Sequence, residues 1–175
     1  VSIMAGDVDR DGVIATTEYG VPNASGIGFG DGNNDGDADS GQSNVTSLPV
    51  GDIYETLESA VGTTLTKVVL ATKPSDFPSN ENAVFSGLTF TASSITSGST
   101  QTFALYFPVE AKVFKLLKKN LRTSNWDNVT KAVTTEGNKT KITFDVTDGG
   151  DYDSDRIANG SITDPVFPVS KKSGS

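Results

Sequence analysis

At 175 residues the chain is long enough for one domain with a sizeable core. Its 35% hydrophobic content, with abundant Gly, Ser, Thr, Asn and Asp, points to a loop-rich all-β class. It contains neither cysteine nor histidine, which excludes disulfide frameworks, thiolate metal centres, haem–His ligation, the common Zn sites and His-based triads. The net charge of −8 is local: 12 of the 22 acidic residues fall in three clusters, and the others are outnumbered by 14 basic residues. Such clusters read as cation sites, and nucleic acid is not an expected partner, because affinity for phosphate comes from basic patches.

Residues 1–47 carry almost only loop signal. Asp7-Val-Asp9-Arg-Asp11-Gly12, with Glu18 at loop position 12, matches the D-x-[DN]-x-[DN]-G-x5-E calcium pattern without a gap. Ca2+ takes six to eight oxygens; alternating carboxylates, a glycine at position 6 and a backbone carbonyl at position 7 (here Val13) let a short chain wrap around it. Asp31, Asn33, Asp35, Asp37 and Asp39, with Gly36 at position 6, repeat the first half of the pattern 24 residues later. Two or more Ca2+ ions are therefore expected. Two departures from the pattern stand out. Ala15 occupies position 9 of the first loop, where water can substitute for a side chain. Gln42 occupies position 12 of the second, which must borrow an oxygen, with the third acidic cluster as candidate donor. An EF-hand needs an amphipathic helix on each side. Tyr19-Gly-Val-Pro22 and Ser43-Asn-Val-Thr-Ser-Leu-Pro49 cannot supply them, so a helix-free calcium-loop segment is expected, unlike a dockerin and closer to thrombospondin type 3 repeats.

From residue 48 to 168 the signals are those of strands. Ile53–Ser59, Thr64–Ala71, Phe85–Thr91, Thr102–Pro108 and Lys141–Thr147 are β-branched or alternate. Val113–Lys118 and Trp126–Val129 flank a polar turn and predict a hairpin, with a short helix at Leu116-Leu117 as the alternative. A second hairpin is expected around Glu136-Gly-Asn138. The basic run Lys112–Arg122 is expected to show one solvated face. Short strands about 10 to 15 residues apart, separated by turns, predict a β-sandwich. The third cluster, Asp148, Asp151, Asp153 and Asp155, follows the last of these strands and is a further candidate metal loop. Residues 169–175 read as a disordered tail or linker.

Several of these runs together resemble the choice-of-anchor U domain of bacterial surface proteins. They are Asp31–Pro49, Tyr54–Ser59 with Gly62–Leu65, Leu105–Pro108, and Thr147–Gly150 with Ala158–Pro165. The likeness spans roughly residues 7–168, although Lys115-Leu-Leu-Lys118 is more basic than the family pattern. It implies a calcium-rich, non-catalytic module of an anchored adhesin, with RTX-type adhesins as a plausible parent, and neighbouring domains of a longer surface protein as partners.

Free Ca2+ is plentiful outside cells, so an extracellular, bacterial-surface location is expected. No apolar run approaches the roughly 18 residues of a membrane helix. The chain opens on Val1 with its one methionine at Met4, and so reads as a piece of something longer; a monomer is expected. Enzyme chemistry is not expected: Glu55 and Glu58 lie on opposite faces of a strand and cannot form a glycosidase-type pair. The alternative function is Ca2+-dependent binding of a glycan on a host or biofilm surface, with Trp126, Tyr106 and Tyr54 as a candidate stacking platform weighed against burial of these rings in the sandwich.

Overall fold

The computed structural model describes residues 6–172. One helical turn, α1 (Ala15–Glu18), precedes ten strands: β1 (Val45–Val50), β2 (Ile53–Glu58), β3 (Thr64–Ala71), β4 (Gly87–Ser93), β5 (Thr100–Pro108), β6 (Val113–Lys119), β7 (Trp126–Asn128), β8 (Thr130–Glu136), β9 (Lys139–Thr147) and β10 (Ile162–Ser170). They form two five-stranded sheets, in the orders β1-β2-β5-β9-β8 and β3-β4-β10-β6-β7. Every pairing is antiparallel. The result is the expected β-sandwich.

Alternation along the strands sets the core. Leu57, Leu105, Phe103, Phe144 and Val146 from the first sheet meet Leu65, Leu88, Phe90, Leu116 and Val166 from the second. Phe103 links the layers, lying edge-on to Phe90 at 5.2 Å and stacked on Phe144 at 5.5 Å between ring centroids.

Both expected hairpins are present. β6 pairs with β7 in the register Leu117↔Asn128, so Leu116-Leu117 is strand and not helix. Its turn is held by Asn120 Oδ1, which accepts the N–H groups of Arg122 and Thr123, each at 3.0 Å. β8 and β9 pair from Glu136↔Lys139 upward.

Four expectations need correction. The N-terminal segment is not wholly helix-free: α1 forms one turn and delivers Glu18. β1 begins at Val45, inside the expected loop segment. β10 runs to Ser170, so Val169 and Ser170 are buried strand residues and not tail. The basic run lacks a clean solvated face, because Lys118 is buried.

The N-terminal segment is a strap across the outside of the first sheet. It starts at a bulge in β3, where the register shifts between Thr66 and Val69 and Val68 donates its N–H to Asp11 O at 2.9 Å. Val13 enters the core there. The strap then receives the Tyr54 hydroxyl on Thr17 O at 2.8 Å. It reaches the β8–β9 turn, where Asn138 donates to Ala24 O at 2.8 Å, and then turns back to β1. One acidic loop lies on the outward run and the other on the return.

Candidate metal centre

In the first loop the carboxylates of Asp7, Asp9 and Asp11 converge, with ligand oxygens within 4.8 Å of one another. Each aspartate gives one oxygen to the loop backbone. Asp7 Oδ2 accepts Gly12 N–H at 3.0 Å, Asp9 Oδ1 accepts Asp11 N–H at 3.4 Å, and Asp11 Oδ1 accepts Val13 N–H at 2.8 Å. Glu18 joins from α1 and accepts the N–H of Ser47 on β1 at 3.3 Å. The second oxygen of each of the four, Asp7 Oδ1, Asp9 Oδ2, Asp11 Oδ2 and Glu18 Oε2, is buried and accepts no hydrogen bond among the described residues. Asp11 and Glu18 are fully buried.

Burial, reinforced by the neighbouring charge of Asp11, pushes Asp9 up to about 8. Burial and the charges of Asp11 and Asp9 push Glu18 up to about 9. Asp11 is raised by burial too. Four desolvated, mutually repelling carboxylates with unpaired oxygens are an arrangement that a hard divalent cation neutralises. Gly12 is required at its place: its φ is +109°, and a Cβ there would lie 2.9 Å from Val68 N.

The second loop is built differently. Asp31 accepts the N–H groups of Asp35 (3.1 Å) and Gly36 (2.9 Å), and Asp35 accepts that of Asp37 (2.9 Å). Its carboxylates do not form a convergent triad like that of the first loop. Its unpaired buried oxygens are Asn33 Oδ1, Asp39 Oδ1 and Gln42 Oε1, at loop positions 3, 9 and 12. Burial raises Asp39 to about 7, with the charges of Asp31 and Asp35 adding to the rise. Asp35 goes the other way: the Gln42 amide, at 2.7 Å, and neighbouring N–H groups outweigh its burial and hold it low.

The outside carboxylate that reaches this loop is Glu58 on β2, which accepts Asn33 Nδ2 at 2.7 Å and the Tyr106 hydroxyl at 3.0 Å. The third cluster makes no hydrogen bond or ion pair to it among the described residues. Sequence reasoning missed Glu58, because the pairing of β2 against the strap cannot be read from loop spacing. It also missed Ser47, whose N–H is held by Glu18 and whose hydroxyl is held by Asp39. Ser47 thereby joins the two loops at one point on β1.

The third cluster is occupied by protein donors. Asp148 accepts from Gly98 (3.0 Å), Gly160 (2.7 Å) and Asn159 (3.3 Å), and these N–H groups hold it low against the effect of burial. Asp153 accepts from Gly149 (2.8 Å) and Thr163 (3.1 Å). Asp151 pairs with Arg122 at 3.0 Å, and Asp155 accepts from Ile157 and Asn159, both at 2.9 Å. These carboxylates tie the β9–β10 connection to its neighbours.

Trp126, on the second sheet, packs on Phe167 and on Phe77 of the β3–β4 connection, whereas Tyr54 and Tyr106 belong to the first sheet, so the three rings do not share a platform. Glu55 faces the core opposite Leu48, and Glu58 faces the strap.

Fold and site together define an all-β protein whose N-terminal strap carries carboxylate-lined loops against one sheet. No family model, curated protein or solved structure matches this chain.

Proposed function

We propose that this chain is a non-catalytic, Ca2+-stabilised structural module of a bacterial cell-surface adhesin, in which the cation fastens the N-terminal strap to the sandwich. One observation carries the metal: Asp7, Asp9, Asp11 and Glu18 each spend one oxygen on backbone and keep the other buried and unpaired. The second loop, with Asp31, Asn33, Asp35 and Asp39, is the candidate second Ca2+ site. The surface-adhesin context rests on the resemblance to choice-of-anchor U domains and on the abundance of free Ca2+ outside cells. In that setting the module spaces and orients neighbouring domains.

Thermal melting with chelator, Ca2+ or Mg2+ tests the reading. A cation that binds only the native state adds about 3 to 4 kcal/mol per site at roughly 100 to 1,000 times its dissociation constant. Chelator is expected to lower the melting temperature, Ca2+ to restore it, and Mg2+ to restore little, because Mg2+ demands regular octahedral geometry. A melting temperature indifferent to chelator in protein shown to be metal-loaded, or to Ca2+ in protein shown to be metal-free, would sink it.

A further inference from the structure

Lys118 lies on β6 with the same parity as Leu116, and Asp164 lies on β10 with the same parity as Ile162 and Val166. Leu116, Ile162 and Val166 all belong to the inter-sheet core. On its other side Asp164 is registered opposite Phe90 of β4. The lysine and the aspartate therefore enter an apolar interior from adjacent strands. Their side chains are 1% and 0% exposed, and Lys118 Nζ is in direct contact with Asp164 Oδ1.

The polar inventory does not suit an ion pair. An ammonium has three donors and a carboxylate about four acceptor sites. Besides its contact with Asp164, Lys118 Nζ makes one hydrogen bond among the described residues, to Pro165 O at 2.9 Å. Neither Asp164 oxygen accepts a hydrogen bond among the described residues. A buried pair this poorly solvated bears a desolvation cost that its mutual attraction need not recover. A secondary amide has one N–H and one C=O and no charge. Pro165 O is the single acceptor that its single donor requires.

We propose that Lys118 and Asp164 are joined by an intramolecular amide, formed after folding between Nζ and Cγ. The step balances without a co-reactant. The buried pair exchanges a proton to give amine and carboxylic acid. Nζ attacks Cγ, a new N–C bond forms, one C–O bond of Asp164 breaks, and the leaving hydroxyl departs as water with a proton from nitrogen. Folding supplies the proximity that such a condensation lacks in water. Burial lowers the Lys118 amine well below the ordinary lysine range, which makes the neutral nucleophile accessible; the charge of nearby Asp153 opposes that fall. The link covalently ties two neighbouring strands of the second sheet in a chain that has no cysteine to do so.

Intact mass spectrometry of the folded full chain, denatured only for the measurement, tests this. The expected mass is one water below the sequence mass, and digestion should release a branched peptide joining the segment around Lys118 to that around Asp164. Lys118→Met should restore the full sequence mass. Asp164→Asn, which keeps the side-chain shape, should lose ammonia instead of water. A wild-type chain at full mass after prolonged incubation in the folded state would overturn the proposal. So would a water loss that persists in Lys118→Met, as cyclisation at an Asp-Gly step such as Asp35-Gly36 would give.

Discussion

Glu55 is the residue whose position is hardest to reconcile with its chemistry. It is 1% exposed, it faces the core, and neither of its oxygens has a partner among the described residues. Burial alone pushes it from 4.5 to about 8. The folded state therefore keeps a proton that the unfolded chain has released, and stability falls as pH rises from about 4.5 to about 8, at up to about 1.4 kcal/mol per pH unit. Glu55→Gln removes this titration. Urea unfolding with saturating Ca2+, which holds the loop carboxylates ionised, is expected to give a flatter pH profile for Glu55→Gln and a gain in stability at the alkaline end. Equal slopes for the two proteins would refute this assignment of the proton. In the first loop the same physics bears on the proposed cation. Asp9 at about 8 and Glu18 at about 9 must lose protons before they can coordinate. Ca2+ affinity should therefore tighten between pH 7 and 9, with proton release that titration calorimetry in buffers of different ionisation enthalpy detects. Glu18→Gln should weaken both effects.

At the scale of elements, the strap meets the β8–β9 turn in one close approach. Gly137, at the tip of the β8–β9 hairpin, has φ +58°, and a Cβ there would overlap Ala24 O. Gly137→Ala is expected to cost at least about 1 kcal/mol from the left-handed conformation alone, and to loosen the Asn138–Ala24 hydrogen bond. Faster amide exchange at Asn138, with the core amides of β5 unaffected, would be the signature. The same scale shows what spacing could and could not reveal. Alternation found β2, β3, β5 and β9, and a polar turn found the β6–β7 hairpin, because each of these signals is local. β10 escaped because Pro165 and Pro168 argue against a central strand. The fold accommodates them by handing the strand over: residues 162–166 pair with β4 and residues 167–170 with β6. Each proline therefore has a ladder on one side only. β1 escaped because its polar residues Ser47 and Thr56 of its partner strand are buried under the strap, a tertiary fact with no local trace.

At the scale of the whole molecule, the loop pattern named Asp7, Asp9 and Asp11, whose carboxylates converge in the structure, but it could not say which elements meet. With Gln42 at position 12, the second loop was expected to borrow an oxygen from Asp148–Asp155. The contacts of the structure run instead between the two N-terminal loops. Glu18 and Asp39 both bind Ser47, through its N–H and its hydroxyl, and the charge of Asp39 acts on Glu18. Asp153 is bound instead to Gly149 and Thr163. On the proposed reading, a cation in either N-terminal loop would change the field felt by the other and set the same strand residue. Glu18→Gln and Asp39→Asn are expected to be non-additive in Ca2+-dependent stability, with a coupling above about 0.5 kcal/mol, the ordinary limit for independent sites. Pairing either of them with Asp151→Asn, which disturbs only the Arg122 contact, should give additive losses. Additivity between Glu18→Gln and Asp39→Asn would mean that Ser47 holds the two loops without transmitting anything between them, and the strap would then bind its cations as separate events.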